Sequence, residues 1–488
     1  MRFYLTTAIP YVNAKPHIGF AMELVEADVI ARYRRQKGDE VFFIYGADEN
    51  SLKNVQAAQK EGITTQQLCD RNAQAFLDLG KLYNISFDHF QRTTAPEHFL
   101  SAQDLWTRCA DAGDIYKKKY KGLYCVGCEQ FYTLDELNEK GECHEHPGRK
   151  LDEIEEENYF FKLSKYQGQL AKILNSDEYK IVPEHRKNEA LGFIKQGLED
   201  FSISRSKERA HNWGVPVPGD PDQIMYVWFD ALNYYRTAAE SGNNQTGQDW
   251  WPPNLHIIGK GIIRFHAIYW PAMLLSAKLT LPKELFVHGY ITVNGQKMSK
   301  SLGNTVDPVE LVQKYGVDAV RYYLLREIPS DGDGDFSDEK FKLRYNADLA
   351  NGLGNFASRV LTLAEKLGEI GFASPEFAAE ITAANNQAKV AVTKGIEERK
   401  LHESLAAIWS LVSFGDRYLA ENKPWSLVTG SNEQRLILVN ALEILNNVRQ
   451  LLKIFLPETA GKIDACMHPV DGKMSVVKPT QPLFPRLY

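Results

Sequence analysis

The chain has 488 residues, 44% of them hydrophobic, enough for two or three globular domains, and no apolar run approaches the roughly 18 residues of a membrane span. The net charge of −6 excludes a global basic field for nucleic acid: Arg344 to Arg486 holds 16 basic and 15 acidic residues, which leaves residues 1–343 near −7, so RNA contacts must rest on local patches. Six cysteines in so long a chain exclude a disulfide scaffold, no signal peptide precedes the first apolar segment, and a reducing, cytoplasmic setting follows.

Residues 1–115 alternate strands and helices. Arg2–Ala8 reads as a buried strand, and Met22, Leu24, Val25, Val29 and Ile30 then recur at helical spacing. His17 and Gly19 of Pro16-His17-Ile18-Gly19-Phe20 fall where that strand hands over to that helix. A helix N-terminus there offers N–H groups to a phosphate, and Gly19 permits close approach to the backbone. Glu40–Tyr45 reads as a second buried strand, with helices around Leu52–Glu61 and Thr65–Leu82. This βαβα order predicts a parallel sheet whose ligands bind beyond the carboxyl ends of strands, where Asp48 lies.

The rhythm breaks over residues 116–224, which read as an insertion. Lys117-Lys118-Lys119-Tyr120-Lys121 is a candidate basic patch or a solvated connection. Cys125-Val126-Gly127-Cys128 and Cys143-His144-Glu145-His146 are two ligand pairs with 14 residues between them. Cys125, Cys128, Cys143 and His146 are the set whose spacing suits a closed, structural tetrahedral zinc. Cys69, Cys109 and Cys466 read as buried thiols.

The α/β pattern resumes over residues 225–343, near Met225–Asp230, Leu255–Lys260 and Leu285–Tyr290. Lys297-Met298-Ser299-Lys300-Ser301 follows, two lysines in a glycine-bounded polar loop. Two mobile cations suit a polyphosphate whose leaving group gains negative charge. Asp307-Pro308-Val309-Glu310 carries the signals of a helix start. Asp331–Asp335 resembles the opening of a calcium loop but fails, since Phe336 takes the glycine position and Lys342 the acidic one.

Residues 344–488 read as a helical bundle, with apolar stripes Leu349–Leu367, Leu401–Leu419 and Leu436–Phe455. Asn355 and Arg359 share a helix face, and Trp425 follows a proline at a helix end.

Together the two motifs resemble those of the class I aminoacyl-tRNA synthetases. The second matches in all five positions, while Phe20 stands where the first usually ends in a second histidine. Ala8–Asn13, Tyr226–Ala231, Gly259-Lys260, Phe265-His266 and Trp270–Ala272 narrow the likeness to the methionyl-tRNA synthetases, over most of the chain. The resemblance implies a Rossmann-like sheet split by a zinc-knuckle insertion and followed by an α-helical anticodon-binding domain. It implies a methionine pocket of Ile9, Tyr11, Asp48, Trp228, Ala231, Leu232, Tyr235, Ile262, Phe265 and His266. A thioether is held well by aromatic edges, and Asp48 would take the ammonium group. It implies ATP contacts from His17, Gly19, Gly259, Lys260, His288, Gly289, Lys297 and Lys300, with His17, Gly19, Lys297 and Lys300 carrying the chemistry. Gly261 stands where relatives often carry an aspartate for the ribose. Asn355, Arg359 and Trp425 would read anticodon bases. The cofactors implied are ATP, Mg²⁺ and structural Zn²⁺, and the partners L-methionine and the methionine tRNA. No appended OB-fold follows Tyr488, so a monomer is expected. The alternative is a non-charging RNA-binding or small-molecule adenylating paralogue on the same scaffold.

Overall fold

A computed structural model of the chain describes all residues except 126–129, 133, 135–136, 144–147, 149, 247–248, 299–302, 372–376 and 471–472. Six strands form one parallel sheet in the spatial order His89–Arg92, Glu40–Ala47, Arg2–Thr7, Leu255–Gly259, Glu284–His288, Lys180–Val182. From Phe3 to Thr7 every residue of the first strand is buried, as expected of a central parallel strand covered on both faces. Leu5 pairs with Phe43 on one side and with Leu255 on the other, so chain from far apart closes the sheet. The strand order reverses between Arg2–Thr7 and Leu255–Gly259, and the crevice beyond their carboxyl ends is the place where such sheets take ligands.

The run Met225–Asp230 does not supply a strand of this sheet. Asp220–Met225 joins a small antiparallel sheet with Pro216–Val217 and Ser204–Ser206, and Val227–Ala231 is a short helix. The sheet's outer strand on that side is Lys180–Val182, from within the stretch read as an insertion. The lysine run is neither a bare patch nor a loop. It lies in strand Ile115–Cys125, opposite Asp152–Phe161, where Lys119 faces Glu157 and Lys121 faces Glu155. Lys121 pairs with Glu153 at 3.1 Å and Lys117 with Asp220 at 2.9 Å, so the facing acids locally offset the basic charge.

The helices follow their local signals. Asp307 caps Pro308–Tyr315, its Oδ1 accepting from Val309 N at 2.8 Å, and the proline occupies the first turn, where its missing N–H costs nothing. Asn355–Glu365, Ala379–Glu397, Leu401–Asn422 and Asn432–Leu452 bury Phe356, Val360, Ile381, Val392, Leu405, Ile408, Val412, Leu442 and Val448. Leu436, read as part of the third stripe, is 55% exposed instead.

Contacts divide the chain into two compact units: Met1–Pro16, Arg34–Lys81 and Ser86–His288, then His17–Tyr33, Leu82–Ile85 and Gly289–Tyr488. The parallel sheet lies in the first unit. Most of helix Ile18–Gln36 and the whole bundle lie in the second. No helix among the described residues is long and apolar enough to cross a membrane.

Candidate active site

In the first unit, the crevice at the strand-order reversal is lined from both sides. After Arg2–Thr7 the chain continues through Ile9 to Tyr11, which forms an isolated bridge with Asp48. Val12 N donates to Asp48 O at 3.3 Å and Asp48 N to Pro10 O at 2.9 Å, so the backbone fixes the loop after the second strand against the loop after the first. Asp48 is 3% exposed. Lys53 lies over the Tyr11 ring, 4.4 Å from its centroid.

After Leu255–Gly259 comes a tight turn at Lys260–Ile262, then a π-helical turn at Phe265–Tyr269. Such a bulge re-aims side chains and is frequent at functional sites. Here it sets the Phe265 ring parallel to Trp228, centroids 3.8 Å apart and 3° from coplanar. Tyr11 meets the Trp228 indole edge-on at 6.5 Å. His266 Nδ1 lies 3.0 Å from Ile262 O, and its Nε2 lies 2.7 Å from the Tyr235 hydroxyl. A carbonyl can only accept, so Nδ1 carries the proton and Nε2 accepts from Tyr235. The Tyr235 hydroxyl therefore offers oxygen lone pairs, not its proton, to any guest. Burial holds His266 at a pKa of about 4, so the ring is neutral at pH 7. Ala231 and Leu232 are buried beside this group, and Ile262 is partly buried against the same core. Thus the structure brings Tyr11, Trp228, Tyr235, Phe265 and His266 into one aromatic cluster, with Ile262 packed against the same core and Asp48 bridged to Tyr11.

Residues not singled out from sequence hold this cluster. Asn50 Nδ2 donates to Asp230 Oδ2 at 2.9 Å and to Thr93 O at 3.0 Å, while Asn50 N donates to Asp48 Oδ1 at 3.3 Å. The loop of Asp48 is thereby tied to the helix of Trp228. His256, fully buried on the central strand, stacks obliquely on Tyr235 at 4.2 Å and bonds Thr6 Oγ1 at 2.6 Å. Asn50 lies two residues beyond Asp48 and Asp230 two beyond Trp228, which was the available signal.

In the second unit, Gly19 N donates to His17 Nδ1 at 3.1 Å, and Phe20 N to His17 O at 3.0 Å, a turn that opens the helix. A Cβ at Gly19 would stand 3.0 Å from the imidazole, so the folded-over ring is itself a reason for glycine. With Nδ1 accepting, the neutral ring carries its proton on Nε2, which makes His17 a donor from an exposed position. Phe20 is 7% exposed and belongs to the core, which accounts for an aromatic at that place.

Gly259 ends one strand, Lys260 begins the tight turn after it and His288 ends the next strand; Gly289 begins the last stretch of the second unit, where a Cβ would lie 2.0 Å from Gly332 O. Lys297 closes a hairpin, whereas Lys300 lies outside the described residues. Arg359 stacks over Trp425 at 4.9 Å and pairs with Asp416 at 3.3 Å; Asn355 is exposed one turn earlier on the same helix. In the insertion, Cys125 and Cys143 are buried in one small cluster with Leu151, which fits two ligands of one metal. Cys128 and His146 lie outside the described residues, and no group of three ligands occurs among the described ones. Cys69, Cys109 and Cys466 are buried free thiols.

A split parallel sheet with an aromatic cluster at its reversal, a His-x-Gly helix start and a Lys-Met-Ser-Lys-Ser segment define a class I aminoacyl-tRNA synthetase, and the model for tRNA synthetases class I (M) matches residues 3–361. The model for the anticodon binding domain of methionyl tRNA ligase matches residues 366–481, so the chain belongs to the methionyl-tRNA synthetase family. The chain is 44% identical to a methionine–tRNA ligase of Rhizobium meliloti over 96% of its own length and 93% of the relative's. It is 41% identical to that of Brucella suis, covering 99% and 98%. It superposes on the Mycobacterium tuberculosis methionyl-tRNA synthetase in complex with methionyl-adenylate with a TM-score of 0.93, at 38% identity, over 99% of this chain and 100% of that one.

Proposed function

We propose that this chain is a methionine–tRNA ligase. It joins methionine to ATP as methionyl-adenylate, then passes the methionyl group to the 3′-terminal ribose of the methionine tRNA. The observation that carries the reading is the aromatic cluster at the sheet's reversal, with the Asp48 carboxylate beside it, in a chain of this family. Trp228, Phe265 and Tyr11 surround the apolar side chain, Tyr235 and His266 meet the thioether, and Ile9, Ala231, Leu232 and Ile262 close the wall. Asp48 takes the ammonium group.

A substrate carboxylate oxygen attacks the α-phosphorus, the bond to the β-phosphate oxygen breaks, and pyrophosphate leaves. A ribose hydroxyl then attacks the acyl carbon and AMP leaves. No enzyme nucleophile is needed, so positioning and charge stabilisation carry both steps. His17 donates from Nε2 to phosphate, and Gly19 keeps the turn that aims it. Lys297 and Lys300 balance the charge of the departing pyrophosphate. Gly259, Lys260, His288 and Gly289 serve the nucleotide, and Mg²⁺ enters with ATP. Cys125, Cys128, Cys143 and His146 hold a structural zinc that fixes the insertion; metal analysis of the purified protein tests this. Asn355, Arg359 and Trp425 read the anticodon. The enzyme acts as a cytoplasmic monomer, which fractionation and solution mass check.

ATP–pyrophosphate exchange across a panel of amino acids is the direct test. Exchange should require methionine, and Lys300→Ala should lower its kcat. Absence of methionine-dependent exchange in the wild type would remove the reading.

A further inference from the structure

The Asp331–Asp335 run, acidic yet unable to form a calcium loop, is unused in the chemistry above. In the second unit it packs beside the segment that leads into the Lys-Met-Ser-Lys-Ser loop. Strand Ile291–Val293 runs antiparallel to Gln296–Lys297 and parallel to Gly334–Phe336. The hairpin turns at Asn294 and Gly295, whose φ values of 51° and 73° suit a two-residue turn matched to strand twist.

The acidic run clamps that turn. Gly295 N donates to Asp335 Oδ1 at 2.7 Å, and Thr292 Oγ1 donates to the same oxygen at 2.8 Å. Lys340 holds the other oxygen at 2.8 Å. Asn294 N donates to Phe336 O at 3.1 Å, Tyr290 N to Asp333 Oδ1 at 2.8 Å, and Gly334 N to Tyr290 O at 3.0 Å. Asp335 thus spends its lone pairs on two hairpin donors and one lysine, the work of a brace.

We infer that Asp335 is a positioning residue for adenylate formation. By fixing the Asn294–Gly295 turn it sets the course of the backbone through Gln296 and Lys297, the strand that carries the first of the two lysines. This rests on the role given to Lys297 and Lys300 above. A cation that must meet charge only as it develops contributes most when it is already in place. Loss of the brace should therefore slow the chemical step and spare methionine binding, since the methionine pocket is built from other residues.

The test is methionine-dependent ATP–pyrophosphate exchange with the full chain. Asp335→Ala should lower kcat by roughly 10- to 100-fold, as small misplacements of reacting groups do, with KM for methionine within about twofold of wild type. Lys340→Met, which leaves both donors on Oδ1, should change kcat less than about threefold, as expected for an exposed ion pair. On a Lys297→Ala background, Asp335→Ala should cost less than about threefold, because both act through one loop. If Asp335→Ala fails to fold by circular dichroism, Thr292→Val, which removes one donor to the same oxygen, should shift kcat in the same direction. An unchanged kcat, a parallel rise in KM for methionine, or full additivity with Lys297→Ala would overturn the inference. A wild type without methionine-dependent exchange would instead overturn the functional reading.

Discussion

His266 shows how a single side chain is made neutral and oriented. Its Nδ1 proton goes to Ile262 O at 3.0 Å and its Nε2 accepts from Tyr235 at 2.7 Å, both bonds closed by the π-helical turn that starts at Phe265. Burial disfavours the charged ring and holds its pKa near 4, below the ordinary 6.5. Unfolding therefore takes up a proton between pH 6.5 and about 4. Stability from this group is fully present above pH 6.5 and is lost as pH falls through that window, by on the order of 3 kcal/mol. His266→Gln abolishes the uptake. Its stability should be lower at pH 7 yet change less than wild type between pH 7 and pH 5, measured by urea unfolding at each pH. Equal pH dependence in the two proteins would refute the assignment. The sequence pointed to Phe265 and His266 as pocket residues, but the tautomer was not legible, because it depends on a carbonyl four residues back and a hydroxyl from another helix.

At the scale of elements, helix ends and apolar stripes were legible because their signals are local: Asp307 and Pro308 open a helix as their residue types dictate. Long-range polar pins were not. Arg321, fully buried in the second unit, donates to the Asp28 carboxylate at 2.7 Å, to Tyr83 O at 3.0 Å and to Phe455 O at 2.8 Å. Asp28 belongs to helix Ile18–Gln36 and Phe455 follows helix Asn432–Leu452, so one guanidinium ties the helix begun by His17 to the bundle. Nothing periodic marks an arginine and an aspartate 293 residues apart. Removing one partner of such a pair leaves a buried charge behind. Arg321→Met should cost about 3–5 kcal/mol of stability in denaturant unfolding, less whatever Arg32, at 2.7 Å, still offers Asp28. A loss below about 1 kcal/mol would show that the site is wetter than its burial implies.

For the whole molecule, the parallel sheet was legible from alternating apolar strands and helices, whereas its outer strand was not. Lys180–Val182 has only three residues, between helices Gln167–Asn175 and Glu184–Gln196, and it counts as sheet only through its pairing with Glu284–Phe286. The charge balance was legible as a sum and misleading in its parts. The lysine run that resembled a nucleic-acid patch faces glutamates across a strand pair and is locally offset. With a net charge of −6 and that patch offset, RNA recognition must lean on a small, specific surface rather than a general field. Trp425 is such a feature: the residue is 49% exposed after the left-handed Lys423, and Arg359 lies 4.9 Å over its ring. Stacking of a base on an aromatic side chain contributes about 1–3 kcal/mol, so Trp425→Ala should lower kcat/KM for tRNA charging by roughly 5- to 150-fold. Because the ring is half exposed the fold should stand, and methionine-dependent pyrophosphate exchange without tRNA should keep its wild-type rate. Parallel assays of exchange and charging on one preparation decide it. Charging that survives intact, or exchange that falls with it, would mean that this tryptophan is a packing cap and that the anticodon is read elsewhere on the bundle.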